Sequence, residues 1–365
     1  APHSETKSCV YSANLTRFNE YLNCIRADVE QTEAPGPSVL VCGPRDSGKD
    51  MFCRVLCNAA IESDHHVKFI DLNTEPNNIT FPRHVGAVTI EDFLPPGCFI
   101  DNSSQEIYSF DFDQLPEHKD NDAWRHLLRI CTEMKTDYRE QMAKSKSLRC
   151  GGVIINAPDA LFPQVESDTA HPLLAELVDA FDVRYVCIVG QEERVVKKAQ
   201  KLKSAPVLRE RCVFQHFPFV CKNTPVQLST MDRHDSMVSN YFMGADFQLQ
   251  CFKIGFDYEM LHFFRVSPEA EAAADNVQKD LCNTTLVAIN LSDEYDEYIG
   301  RIASLTDAQS SKDVTTAKVV GFFVISSVDP TNRKVYLISP TPESLRYNHF
   351  ILTHTTTRIP ELLCS

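Results

Sequence analysis

The stretch that decides the fold is SVLVCGPRDSGKD, residues 38–50. Its first five residues form an apolar run of the kind found in strands buried on both faces of a parallel sheet. Gly43 then opens a loop, and a helix is predicted from Lys49 to about residue 60. Residues 43–49 fit the pattern GxxxxGK between a strand and a helix, which predicts a phosphate-binding loop, or P-loop. The alternative is a glycine turn with a surface lysine.

The position after Lys49 departs from the phosphate-loop pattern. In the intact motif, the backbone N–H groups and the lysine face the phosphates, and a Ser or Thr hydroxyl ligates Mg²⁺. Asp50 places a carboxylate there instead. Its repulsion of a phosphate about 4 Å away is on the order of 4 kcal/mol at an effective dielectric near 20. We therefore expect weakened ATP affinity, and the residues leave open whether ATP and Mg²⁺ bind.

The candidate nucleotide contacts all lie in this loop and the first turn of the helix. They are Gly43, Asp46, Ser47, Gly48, Lys49, Asp50 and Met51. Asp50 is also a weak candidate metal ligand, because a carboxylate can bind Mg²⁺.

Further apolar strands alternate with helices up to about residue 244. A helix is expected at 11–30, before the first strand, and a breaker segment follows it. Strands are predicted at 67–72, 152–156 and 183–190, and helices at 122–144, 172–181 and 191–203. This alternation predicts an α/β fold, with a P-loop NTPase-type parallel sheet flanked by helices.

The pattern changes after residue 244 to short alternating segments separated by turn residues. They lie at 247–255, 260–266, 285–291, 319–328, 334–339 and 350–354. Such segments predict a smaller, mostly antiparallel β domain. The predicted organisation is an N-terminal helix and linker at 1–37, a P-loop kinase-like domain at 38–244 and a β-rich C-terminal domain at 245–365.

Composition limits the partners. The chain has 36 Lys and Arg residues against 50 Asp and Glu, a net charge of −14, so it does not attract phosphodiester backbones as a whole. Any RNA contact is expected to be indirect or weak. No apolar run approaches 18 residues, so no membrane-spanning segment is expected. The 14 cysteines show no zinc-ligand spacing and are expected to be reduced core thiols.

Distributed motifs resemble one known family. They are the P-loop at 43–49, Cys53-Arg54-x-Leu56-x-Asn58, Ile79–Pro82, Tyr241-Phe242-x-Gly244, Val320–Asp329 and Leu337–Pro342. In this order they resemble the Clp/Grc RNA 5′-hydroxyl polynucleotide kinase family, and in particular its subunit of the nuclear pre-mRNA cleavage and polyadenylation factor. The resemblance implies a nuclear protein that binds other subunits of the 3′-end processing complex. It also implies that most of the family's N-terminal domain is lacking, because only 37 residues precede the first strand.

The positions that match the family's catalytic residues are mostly altered. The P-loop hydroxyl is Asp50, and the stretch after the second strand reads Asn73–Pro76, with Asp71 close by. The family's Thr-x-Gly-Trp clamp is replaced by Ala157–Ala160, and the arginine-rich lid offers Arg233 and His234. Lys49, Asp50, Asp71 and Arg233 are therefore vestigial catalytic candidates.

These coincident departures favour a catalytically degenerate scaffold subunit of the mRNA 3′-end cleavage and polyadenylation machinery, because phosphoryl transfer depends on positioning and charge stabilisation. Two alternatives stay open. The chain could be an active ATP-dependent RNA 5′-hydroxyl kinase with rearranged ligands. It could also bind ATP without turnover.

Overall fold

A computed structural model describes most of the chain. The described residues are 3–74, 77–95, 100, 104–112, 122–162, 170–204, 208, 210–218, 230–244, 246–266, 277–279, 285–291, 295–342 and 345–357. Within them, no helix is both long enough and apolar enough to cross a membrane.

The first sheet has seven strands. They are β1 (Ser38–Cys42), β2 (Val67–Asp71), β3 (His84–Ile90), β4 (Glu106–Ser109), β5 (Val153–Asn156), β6 (Tyr185–Val189) and β7 (Val213–Phe217), in the spatial order β4-β3-β2-β5-β1-β6-β7. Strands β2, β5, β1, β6 and β7 are parallel neighbours, which confirms the predicted parallel sheet. Strand β3 runs antiparallel to β2. It was not predicted, because His84 and Gly86 interrupt its apolar run.

The helices are α1 (His3–Val29), α2 (Lys49–Glu62), α3 (Asp122–Lys144), α4 (Lys146–Gly151), α5 (Ala170–Ala180), α6 (Glu193–Ser204) and α7 (Thr230–Met243). The predicted helices at 122–144, 172–181 and 191–203 are confirmed to within a few residues. Helix α1 begins at His3, well before the predicted start at residue 11, because its first two turns lack the apolar spacing on which the prediction relied.

The second sheet has eight strands. They are β8 (Phe252–Asp257), β9 (His262–Val266), β10 (Val277–Lys279), β11 (Thr285–Ile289), β12 (Arg301–Thr306), β13 (Val319–Asp329), β14 (Lys334–Ser339) and β15 (His349–Thr356), in the order β10-β11-β9-β15-β12-β13-β14-β8. Every neighbouring pair is antiparallel except β15 and β9. The mostly antiparallel β character of this region is confirmed.

The chain forms two compact units. One comprises residues 1–73, 86–105 and 115–225, and the other comprises 74–85, 106–114 and 226–365. In the first unit Trp124 is completely buried, and its indole N–H donates to Glu176 Oε2 at 2.8 Å. In the second, apolar side chains of the second sheet, among them Leu337 and Phe350, form a core of their own. The predicted domain boundaries at 37/38 and 244/245 stay predictions.

Candidate functional site: the phosphate loop and the ends of β1, β2 and β5

Three neighbouring parallel strands end at the same edge of the first sheet. Asp71, the last residue of β2, is the register partner of Asn156, the last residue of β5. Asn156 is also the register partner of Val41 in β1, immediately before the P-loop. Ligands of open α/β sheets bind at the carboxyl ends of the strands. The topology therefore brings polar residues from three separate segments to the P-loop.

The loop has the backbone that its glycines predict. A Cβ on Gly43 would lie 2.3 Å from the carbonyl oxygen of Val189, so only glycine fits there. Gly48 precedes α2 with a φ of 92°, in the left-handed region that glycine adopts without strain. Asp46 has a φ of 60° and is exposed, whereas the Ser47 side chain is buried. The sequence therefore retains a P-loop conformation despite the altered last position.

Lys49, at the start of α2, does not point into solvent. Its side chain is only 4% exposed, and its Nζ forms an ion pair and a hydrogen bond with Asp159 Oδ1. The same Nζ lies 3.5 Å from the carbonyl oxygen of Pro44. The P-loop lysine is therefore held between its own loop and a carboxylate that follows β5.

Asn73 fixes Asp159 in this position. The Asn73 side-chain amide donates to Asp159 Oδ1 at 3.2 Å, and the backbone N–H of Asp159 donates to Asn73 Oδ1 at 3.2 Å. The backbone N–H of Asn73 in turn donates to Asp71 Oδ1 at 3.0 Å. The segments that follow β2 and β5 are thus joined by reciprocal hydrogen bonds, and Asp159 begins a short 3-10 helix, Asp159–Leu161.

Asp50 and Asp71 share one donor. The Asn156 amide nitrogen donates to Asp50 Oδ1 at 3.0 Å and to Asp71 Oδ1 at 2.9 Å. Asp71 is completely buried and Asp50 is half-buried. The carboxylate at the hydroxyl position is therefore bound to an amide at the end of β5.

The electrostatics of this cluster favour a charged lysine. Burial lowers the pKa of the Lys49 ammonium, but the negative charges of Asp159 and Asp50 outweigh burial, and the pKa is raised above its ordinary value. The carboxylates of Asp159 and Asp50 thus act on one ammonium, and Asp71 is linked to Asp50 through the Asn156 amide. Burial also raises the pKa of the nearby Cys53 thiol well above its ordinary value, so Cys53 is not a reactive thiolate.

The structure brings together most of the residues that the sequence singled out. Lys49, Asp50 and Asp71 lie in one cluster, and Met51 lies half-buried in the first turn of α2. Arg233 lies in α7, in the second compact unit, and its side chain is outside the described residues. Its assignment to the site stays a prediction.

Sequence reasoning missed Asn73, Asn156 and Asp159 as members of the site. Each was read only as a departure from a family pattern or as the end of a strand. Their shared signal is a polar side chain at, or within three residues of, the carboxyl end of a buried parallel strand. Among the described residues, no group of three His, Cys, Asp or Glu side chains has the geometry to hold a metal ion. The weak assignment of Asp50 as a metal ligand stays a prediction.

Comparison with known proteins covers both sheets. A family model described as "mRNA cleavage and polyadenylation factor CLP1 P-loop" matches residues 43–242, and a second, "Pre-mRNA cleavage complex II protein Clp1", matches residues 249–356. The chain is 26% identical over 334 residues to the "Protein CLP1 homolog" of Brugia malayi, covering 90% of this chain and 73% of that protein. It is 23% identical over 347 residues to the "mRNA cleavage and polyadenylation factor CLP1" of Yarrowia lipolytica, covering 92% and 75%.

A solved structure shares the fold. The Clp1p chain of a wild-type Clp1p–Pcf11p complex superimposes with a TM-score of 0.72 at 18% identity, over 94% of this chain and 79% of that one. At this identity the likeness shows the fold alone. The family rests instead on the two matched segments, which together span most of the chain. The chain therefore belongs to the Clp1 family of mRNA cleavage and polyadenylation factors, a family of pre-mRNA cleavage complex proteins.

Proposed function

We propose that this chain is a non-catalytic scaffold subunit of the nuclear mRNA 3′-end cleavage and polyadenylation machinery. It would present the surfaces of its two compact units to other subunits. A subunit of the Pcf11 type is a candidate partner, since Clp1p of known structure is found in complex with Pcf11p.

The observation that carries the proposal is a family fold retained around an altered phosphate site. The strand–loop–helix and both sheets are present. At the site, however, Lys49 is paired with Asp159, and Asp50 stands where phosphoryl transfer needs an uncharged hydroxyl. Phosphoryl transfer relies on positive charge that stabilises the transferring group. Here the described groups nearest to Lys49 add negative charge.

Recovery of partners tests the scaffold role directly. The tagged chain would be purified from nuclear extract with and without ATP and magnesium, and the bound proteins identified by mass spectrometry. We expect cleavage and polyadenylation subunits in both samples, in equal amounts, because the proposed role needs the fold and not nucleotide turnover. Recovery of none of these subunits would overturn the proposal.

A phosphoryl-transfer assay separates the scaffold from an active kinase. The chain would be incubated with γ-labelled ATP, magnesium and an RNA that carries a 5′-hydroxyl, beside a Lys49→Ala variant whose fold is verified by circular dichroism. We expect no transfer above that variant. Transfer that depends on Lys49 would instead support a kinase with rearranged ligands.

A further inference from the structure

The ion pair between Lys49 and Asp159 has a consequence for nucleotide binding. We infer that the Asp159 carboxylate is a built-in anion that occupies the phosphate position on Lys49, so that the P-loop is closed by its own chain and excludes nucleoside triphosphates. This goes beyond a scaffold role, because a scaffold could equally hold ATP as a structural ligand.

The anion that pairs with Lys49 is the Asp159 carboxylate, which is held in place by other contacts. Lys49 is 4% exposed, so its ammonium cannot be hydrated freely and requires a negative partner. Asp159 is that partner, and Asn73 holds it through one side-chain and one backbone hydrogen bond. A triphosphate could reach Nζ only by displacing a carboxylate that is already anchored. It would therefore have to break a mostly buried ion pair before it gained its own.

The charge of the cluster adds to this barrier. Asp50 and Asp71 lie beside the pair and are linked through the Asn156 amide. A P-loop that binds a magnesium triphosphate offers an ammonium and a neutral hydroxyl to a strongly negative ligand. This site offers an ammonium already neutralised by Asp159 and, at the hydroxyl position, a carboxylate. The residues present therefore do not fit magnesium and ATP.

The same contacts hold the separate segments of the site together. Through Lys49, Asn73 and Asp159 they connect the segments that follow β1, β2 and β5. A nucleotide in a P-loop makes such connections with its phosphates. In this chain side chains make these connections. The fold around the loop should therefore be stable without a nucleotide.

Removing the negative charge of Asp159 tests the inference. Asp159→Asn keeps the shape of the side chain and its hydrogen bonds to Asn73, but leaves the Lys49 ammonium available to a phosphate. Asp64→Asn is the matched control, because Asp64 is exposed, lies away from the cluster in the same unit, and has a φ of 59° that asparagine tolerates. Each purified chain would be titrated with ATP, with and without magnesium, by calorimetry.

We expect the original chain and Asp64→Asn to give no saturable heat on addition of ATP. We expect Asp159→Asn to bind ATP saturably, with an affinity at least tenfold higher than that of either other chain. As an independent readout, ATP should raise the melting temperature of Asp159→Asn and leave those of the other two chains unchanged. Micromolar binding of ATP by the original chain would overturn the inference. So would a folded Asp159→Asn variant that binds no ATP.

A second variant tests the inference if Asp159→Asn fails to fold. Asp50→Ser restores the hydroxyl of the motif but leaves Asp159 on Lys49. We expect Asp50→Ser to bind no ATP. Saturable binding of ATP by this variant, in which Asp159 is unchanged, would show that Asp159 is not the barrier to nucleotide binding. These titrations contain no other subunit, so their outcome is independent of whether partners are recovered from nuclear extract.

Discussion

Lys49 and Asp159 differ in the solvent exposure of their side chains. Lys49 is 4% exposed and Asp159 is 22% exposed. Removing the partner of a buried charge lowers the free energy of unfolding more than removing the buried charge itself. The reason is that the buried ion left without a partner has lost its hydration. We therefore expect Asp159→Asn to lower the free energy of unfolding by about 3 kcal/mol and Lys49→Met by about 1 kcal/mol. Urea unfolding of both variants measures the difference, and a larger cost for Lys49→Met would contradict the pairing.

His84 gives the second compact unit a dependence on pH. It is completely buried, its Nδ1 lies 2.8 Å from the carbonyl oxygen of Pro82, and its Nε2 lies 2.7 Å from Ser304 Oγ. Burial lowers the pKa of His84 below its ordinary value of about 6.5, although Asp111 acts in the opposite direction. Below about pH 6.5 the unfolded chain therefore binds a proton that the folded chain does not.

The stability linked to His84 is present above pH 6.5 and is lost as the pH falls, by at most about 1.4 kcal/mol per pH unit. We expect His84→Gln to reduce the loss of stability between pH 7.5 and pH 5.5. Urea unfolding at the two values measures it, with His66→Gln, a loop imidazole, as the control. If the pH dependence of stability is unchanged in His84→Gln, protonation of this imidazole does not cause it.

Helix α1 is a packed part of the first compact unit. Leu22 is completely buried, and the ring of Phe18 lies 5.4 Å from that of Phe217 in β7. At the end of the helix, Arg149 Nη1 donates to the carbonyl oxygens of Val29, Thr32 and Ala34, at 2.7–3.3 Å. These contacts anchor the helix from its buried face to its C-terminus.

Truncation on the two faces of α1 tests this packing. Leu22→Ala should lower the free energy of unfolding by about 3 kcal/mol, because it removes buried methyl groups and leaves a cavity. Glu20→Ala, on the exposed face, should change it by less than about 0.5 kcal/mol. Denaturant unfolding of the two variants gives both values. Equal, small effects would mean that α1 contributes little to the fold.

The two compact units of the whole molecule can be followed separately during unfolding. Trp124 is the single tryptophan of the chain and lies in the first unit, so its fluorescence reports that unit, whereas far-ultraviolet circular dichroism reports both. Leu337 is completely buried in the core of the second unit. Compact units with their own cores behave as domains, and chains of several domains often unfold in more than one step.

We therefore expect Leu337→Ala to move the dichroism transition to a lower urea concentration and to move the Trp124 fluorescence transition less. The lost methyl groups weaken the core of the second unit. Leu40→Ala, in the completely buried strand β1 of the first unit, is the converse variant and should move the fluorescence transition. Equal shifts of both signals in both variants would mean that the molecule unfolds as one cooperative unit.

Most elements of the α/β region follow from local pattern. The apolar run at 38–42 and the helical periodicity at 122–144 coincide with β1 and α3 as the structure has them. The pattern failed where polar residues or glycine interrupt or flank the apolar ones. Strand β7 has one buried residue among five, and β12 of the second sheet begins at Arg301 and carries Ser304 among its apolar residues. Such strands are stabilised by pairing with their neighbours, which no local window of sequence contains.

The sequence by itself determined that the chain has a P-loop, because glycines at positions 43 and 48 and the apolar strand before them leave the backbone little alternative. It also determined the family, through motifs distributed along the chain. Only the tertiary structure decided which group pairs with the P-loop lysine. Asp159 follows Lys49 by 110 residues, and parallel pairing of β1 with β5 brings them together at one edge of the sheet. The strength of an ion pair depends on separation and burial, which sequence distance does not encode.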